Sequence, residues 1–504
     1  MKTAWRNLIL FGAAGAAAMA MIEPSFAEEA AAAAAGAAAA AVKAPDLVIN
    51  KADDGWMMTS SLLVLLMTVP GLALFYGGMV RTKNMLSTLT QVFMIQCMVC
   101  VLWFVYGYSI AFTEGSGVTS PFLGGFSRLF MSGILSYGPD GNSPTLTPGS
   151  TFSVGVGIHE LVFVCFQMTF AAITTALAIG GFAERMKFSA IVLFSILWLT
   201  IVYLPIAHSV WFNPGANDLA LDNAGALARS GFGFQMGALD FAGGTVVHIN
   251  AGVAGLVGAL VLGRRIGFGK EAMPPHSLTL TMVGAALLWV GWFGFNAGSA
   301  LEANGQAVVA MANTFVATAA AGLSWMFVEW IFKGKPSLLG LASGVVAGLV
   351  AVTPASGFAG SMGALVLGLV AGAICFFFCT SVKSVFGYDD ALDAFGVHAI
   401  GGFVGAIGTG IVAAPFYGGQ GVVDYTKCVV KDGLLTSDCP IGDYDIAAQT
   451  WIQFKNALIT IGWSGVGTLI VFLIISLIIG ARASVEAERE GLDIADHGER
   501  AYNM

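Results

Sequence analysis

Charge is scarce in this chain. Asp, Glu, Lys and Arg make up 10% of its 504 residues, against roughly 25% in a soluble globular protein, which excludes an ordinary water-soluble fold. The 22 basic residues form no patch or stripe that could follow a phosphate backbone, so no nucleic-acid partner is expected. Cysteine is sparse too, at seven. Cys375 and Cys379 are four apart on one helical face with no further ligand type beside them, and Cys97, Cys100 and Cys165 read as packing residues. No metal site and no cofactor are expected. Also missing is any obvious carboxylate cluster or TVGYG-like filter of the kind that potassium or calcium paths use. The net charge of −8 says little, because most charges lie in loops and tails.

Long apolar runs, by contrast, are abundant. Hydrophobic residues reach 57%, and glycine, at 66 of 504, is about twice its usual share of roughly 7%. In a membrane, small residues let helix backbones approach closely. Runs able to cross about 30 Å of hydrocarbon fall near 56–80, 88–112, 157–181, 188–211, 240–263, 277–301, 306–332, 337–353, 358–382, 393–414 and 452–481. The fold class is therefore an all-α polytopic membrane protein with eleven transmembrane helices. Residues 1–27 read as a secretory signal peptide: Lys2 and Arg6, an apolar run from Leu8 to Ile22, then Ser25-Phe26-Ala27 as a small-residue cleavage site. The competing reading, a first membrane anchor, is disfavoured by the short run and by Glu23 and Pro24. An Ala-rich tether, 28–54, leads to the membrane domain, 55–481, and a polar, acidic tail, 482–504. With the N-terminus outside, Arg81, Lys83, Arg185, Lys187, Arg264, Arg265, Lys270, Lys333, Lys335 and Lys383 fall inside with the tail, as the positive-inside rule requires.

Two stretches carry ionisable groups at bilayer depth, where they are costly and usually functional. One is Asp240 to Gly258, DFAGGTVVHINAGVAGLVG. The other is Asp393 to Gly408, DAFGVHAIGGFVGAIG. Aligned on His248 and His398, both have glycines at +4, +7 and +10. The stretches lie on the fifth and tenth spans, an odd number apart, so they cross in opposite directions. That is the mark of an inverted 5+5 repeat with its site near the midplane, leaving the eleventh span as an outer brace. At 1.5 Å per residue, His248 lies roughly 12 Å below one end and His398 roughly 8 Å above the other. A lone membrane histidine is often only a packing residue, but a matched pair argues for a shared site. A bis-histidine haem also needs two buried histidines, yet glycines this close leave little room for a macrocycle. Cys428 and Cys439 share the last exterior loop, where an oxidising compartment favours a disulfide.

Aromatic residues cluster beside polar ones near the outer ends of spans: Trp211 after His208, Phe166 and Phe170 four apart, and Trp292, Phe295 and Ser299 on one helical face. Some belong to an interfacial belt; Phe170 and Phe295 should lie deeper. Aromatic faces attract cations, and Ser299 can accept a hydrogen bond. The residue types suggest a small, weakly basic cation, held at the mouth and passed through an apolar duct lined by imidazoles that can hold or relay a proton.

The stretches GLALFYGGMVRTKN (71–84), FAERMKFSA (182–190), ALDFAGGTVVHINAG (238–252), GWFGFNAGSA (291–300), DAFGVHAIGG (393–402) and EREGLDIADHGERAYN (488–503) closely resemble the ammonium transporter family, Amt and the related Rh proteins, from about Gly55 onward. The resemblance implies transport of ammonium or ammonia, with methylammonium as a candidate substrate, by a homotrimer with one path per subunit in the inner membrane. Signal cleavage and eleven spans place the N-terminus in the periplasm and the C-terminus in the cytoplasm, and no enzymatic activity is expected. It assigns Phe170, Trp211 and Ser299 to an outer recruitment site, and Phe170 with Phe295 to a gate. His248 and His398 become the twin pore histidines, Trp292 and Phe166 path residues, and Asp240 a support behind the mouth. Asp390 and Asp393 match inner acids of undefined role. The tail match implies docking on neighbouring subunits and a PII-type regulatory partner. An ammonium sensor signalling through such a partner is the alternative. Phe212-Asn213-Pro214, where many members have glycines, and the long loops at 114–149 and 428–439 depart from the pattern.

Overall fold

A computed structural model describes residues 42–137 and 144–502. The expected signal peptide and residues 28–41 of the tether lie outside the described residues. Eleven helices among the described residues are long and apolar enough to cross a membrane. They are α1 Lys51–Met79, α2 Thr82–Phe112, α3 Glu160–Phe182, α4 Phe188–Trp211, α5 Gly244–Leu262, α6 Leu278–Gly298, α7 Gly305–Lys333, α8 Leu338–Ala355, α9 Ser361–Phe386, α10 Phe395–Val412 and α11 Ile446–Ile478. Polar side chains start several of them. Ser277, Asn304, Ser337 and Asp445 each accept a hydrogen bond from a backbone N–H of the first turn, satisfying donors that have no partner within the helix.

The inverted repeat is visible where α5 and α10 cross. Asp389, just before α10, pairs with Arg265, just after α5, at 2.8 Å, so the start of one helix lies beside the end of the other. The glycines four residues after each histidine form the crossing. A Cβ on Gly252 would run into the backbone nitrogen of Ala399, and one on Gly402 would lie 2.7 Å from the carbonyl oxygen of Gly244. Backbone meets backbone there with no slack. Gly252→Ala is therefore expected to destabilise the protein by about 1–3 kcal/mol through overpacking, read as a lowered Tm of the detergent-solubilised protein; an unchanged Tm would contradict so tight a crossing.

α11 acts as the brace that the sequence suggested. Gln453 donates to the carbonyls of Leu239 and Ala406, Ser464 donates to that of Asn250, and Trp198 of α4 donates to Thr468. One face of the molecule carries the loop after α2 and a hairpin closed by the Cys428–Cys439 disulfide. Residues 42–50, assigned to the tether by composition, are built into this face. Val48–Ile49 pairs in parallel with Val156 and Gly157, and Lys43 exchanges backbone bonds with Gly433 and Leu435 of the hairpin. Helix α1 begins at Lys51, earlier than hydropathy placed it.

The opposite face is charged and carries the tail. Glu184 sits between Arg265 at 2.7 Å and Arg81 at 3.1 Å, and Asp389 also pairs with Arg185 at 3.3 Å. Burial pushes the Glu184 carboxyl up, but Arg265 and Arg81 outweigh it and hold it at about 2. Composition alone reads the tail as solvated. Its first part is docked instead: Asp493 accepts from the Ser87 N–H at 2.8 Å, Glu488 from the Ile266 N–H at 2.6 Å, and Leu492 is buried. These contacts are to the start of α2 and to the loop after α5 of the same chain.

Candidate functional site

The face bearing the disulfide opens into a vestibule of about 660 Å³ whose lining includes Trp211, Asp240 and Ser299. Below it, aromatic rings form a ladder into the protein. Trp211 meets Phe170 edge to face with centroids 5.8 Å apart, and Phe170 stacks on Phe295 at 4.1 Å and 18°. Phe295 lies 5.9 Å from His248, and His248 stacks on His398 at 5.4 Å. Phe166 supports Phe170 from the side at 4.8 Å, and Trp292 stacks on His248 at 5.3 Å. All these side chains except Trp211 and Ser299 are almost fully buried. The sequence-derived residues therefore converge on one line.

The polar members are each fixed by a specific bond. Ser299 donates its hydroxyl to the Phe295 carbonyl at 2.7 Å, which leaves the oxygen lone pairs free to accept from a cationic N–H. Trp292 donates to Thr353 Oγ1 at 2.8 Å, and Thr353 is bonded in turn to Leu349 and Asn296. Residue spacing gave no sign of Thr353, because its partner lies 61 positions away. The two histidines face each other through their Nδ1 atoms at 3.3 Å. For that bond to form, one Nδ1 carries hydrogen and the other offers its lone pair, so the pair shares a proton position. His248 Nε2 is buried without a protein partner.

Asp240 does not lie on a helix. It precedes α5 and caps it. Oδ1 accepts from the N–H groups of Gly243 and Gly244 at 3.0 and 2.5 Å. Oδ2 accepts from the N–H groups of Thr245 and Val246 at 2.9 and 3.1 Å and from the Thr245 hydroxyl at 2.5 Å. Burial pushes this carboxyl above the ordinary range, and those bonds act against it. Its carbonyl accepts from Trp211 Nε1 at 2.9 Å. One residue thus starts the helix that carries His248 and aims the indole at the mouth.

The second half repeats the device with Asp390, one of the two inner acids for which the resemblance defined no role. Asp390, not Asp393, accepts from the N–H groups of Ala394, Phe395 and Gly396. These lie four, five and six residues on, matching Gly244, Thr245 and Val246 after Asp240. Both acids stand eight residues before their histidine, and that spacing was the available signal. Asp393 corresponds to Gly243. Both have positive φ, 58° and 113°, a region that favours glycine, and Asp393 is held there by Lys383 at 2.7 Å. Cys428 and Cys439 are bonded as expected. Among the described residues, no group of three or more His, Cys, Asp or Glu side chains could hold a metal ion.

Eleven membrane-length helices define a polytopic membrane protein. Residues 55–502 match the Ammonium Transporter Family, and the chain belongs to that family. It is 44% identical over 462 residues to an ammonium transporter of Aquifex aeolicus (strain VF5), covering 92% of this chain and 96% of that one. It is 43% identical over 452 residues to an ammonium transporter of Bacillus subtilis (strain 168), covering 89% and 98%. The crystal structure of Saccharomyces cerevisiae Mep2 superposes with a TM-score of 0.71 at 31% identity, covering 87% of this chain and 88% of that one.

Proposed function

We propose that the protein recruits ammonium at Trp211 and Ser299, that the stacked Phe170 and Phe295 gate the path, and that the cation gives up its proton before ammonia passes the twin histidines. The observation that carries this is the unbroken order of rings from vestibule to histidine pair. A bare ammonium-sized ion loses several kcal/mol of solvation in such surroundings. The Trp211 face and the Ser299 lone pairs replace part of that hydration at the mouth. Deeper, the ladder offers little besides apolar rings and a shared imidazole proton, so a neutral guest with separate proton relay fits best.

The vestibule face is assigned to the periplasm. The disulfide there suits an oxidising compartment, while Arg81, Arg185, Arg264, Arg265 and Lys383 gather at the tail face, which suits the cytoplasm. Inner-membrane location, a homotrimer and a PII-type partner for the tail belong to the same proposal, on the strength of the family, and cleavage after residue 27 on the strength of the residues before it.

The test is ammonium-evoked current from proteoliposomes on a solid-supported membrane, with and without a pH gradient. Current that responds to the gradient is expected. Ammonium binding without any current would favour the sensor alternative. Trp211→Leu removes the aromatic face and is expected to raise the half-saturating ammonium concentration about tenfold, the scale of a desolvated cation–aromatic contact. An unchanged value would remove Trp211 from recruitment.

A further inference from the structure

His208 is bonded unlike the other histidines. It is fully buried near the end of α4. Its Nδ1 lies 2.9 Å from the carbonyl oxygen of Ala111, and its Nε2 lies 2.8 Å from that of Ser120. Carbonyl oxygens only accept, and neutral imidazole has one N–H. A neutral ring would therefore press a lone pair against one of these oxygens. No other described histidine shows this. His276 faces one carbonyl and the Tyr502 hydroxyl, which can donate; His248 and His398 face each other; His159 faces Asp54.

The two carbonyls tie separate parts of the vestibule wall together. Ala111 ends α2, and Ser120 belongs to the loop that follows it. From α4, the His208 ring stacks on Phe212 at 4.6 Å and 14°, and its own carbonyl accepts from the Phe212 N–H at 3.1 Å. Trp211 lies between these anchored positions. Thr113, Glu114, Trp211 and Phe212 all line the vestibule.

We propose that His208 is held as the imidazolium, and that this buried proton fixes the wall segment that presents Trp211 to the incoming cation. His208 is then a positioning residue. Its effect on transport rests on Trp211 recruiting ammonium; its protonation does not. Burial works against the charge, and two short bonds to carbonyls work for it. The titratable groups on the packed elements are engaged elsewhere. Tyr108 donates to Glu160, Glu114 pairs with Arg229, and Asp240 caps α5. Loss of the proton at high pH leaves one carbonyl without a donor and loosens the wall.

The test is nitrogen NMR of the full-length protein with labelled histidine in lipid nanodiscs. At about pH 8, above the ordinary histidine value of about 6.5, one histidine is expected to show two N–H-type ring nitrogens. That signal should vanish in His208→Gln and persist in His159→Gln, which sets aside the histidine beside Asp54. If every histidine surviving in His159→Gln carries an unprotonated nitrogen, the proposal is overturned, whether or not His208→Gln folds. In proteoliposomes, the half-saturating ammonium concentration should rise about threefold on passing to alkaline pH, the loss of one hydrogen bond, and stay flat in His208→Gln. Identical pH dependence in the two proteins would overturn the positioning role. An unchanged half-saturation in Trp211→Leu would instead sink the recruitment reading and leave the spectrum to decide His208.

Discussion

Asp240→Ala is expected to abolish ammonium-evoked current and to lower the Tm. The carboxylate satisfies four backbone N–H groups and one hydroxyl at the start of α5. Each buried donor left without an acceptor costs about 1–3 kcal/mol, so the first turn cannot keep its geometry. Two functional elements move with it. Trp211 is bonded to the Asp240 carbonyl, and His248 lies less than two turns further along. Asp240→Asn is a sharper test of the cap than of the charge, because its amide nitrogen would face donors instead of accepting from them. Normal current and normal Tm in Asp240→Ala would overturn the assignment of this residue as the support of both sites. Asp390→Ala should disturb α10 in the same manner, through its bonds to Ala394, Phe395 and Gly396.

His248→Ala is expected to cut maximal ammonium-evoked current on the order of tenfold or more, equivalent to about 1.4 kcal/mol in the barrier. The half-saturating concentration should change little, since Trp211 and Ser299 lie above the Phe170–Phe295 stack. The substitution removes the ring that links Phe295 to His398 and deletes one side of the 3.3 Å Nδ1 contact. Wild-type current would discredit the relay, and an increased current with lost ammonium selectivity would recast the histidines as a filter. Together with Trp211→Leu, this variant separates recruitment from passage: one shifts affinity, the other maximal flux.

Much of this was legible in the residues. Eleven apolar runs, their parity and the glycines at +4, +7 and +10 from each histidine gave the helices, the inversion and the place where the halves cross. Hydropathy could not say where a helix starts. The run 240–263 put Asp240 inside a span, whereas Asp240 is the cap of a helix beginning at Gly244, and the φ of 113° at Gly243 marks the turn. The role of Asp390 showed only in its eight-residue spacing to His398, the same as that of Asp240 to His248, because the matching motif itself begins at Asp393, three residues later. The tail reads as solvated by composition alone, while only the family resemblance implies docking. Its partners, Asn84, Ser87 and Ile266, lie more than 200 positions away, and polar composition does not reveal a docking surface that only the folded chain creates. Thr353 escaped notice on the same ground.

The crossing of α5 and α10 also limits how this molecule can work. Many repeat-built carriers move solute by tilting one half against the other. Here a tilt would drive Gly252 into Ala399, because the two backbones already meet at that glycine. The protein resembles a rigid frame rather than a lever, and under the proposed function its moving parts are two phenyl rings. Side-chain rotations are fast compared with domain rearrangements, which take microseconds to milliseconds. On that proposal, freezing the halves together with a cross-link between them should leave throughput intact.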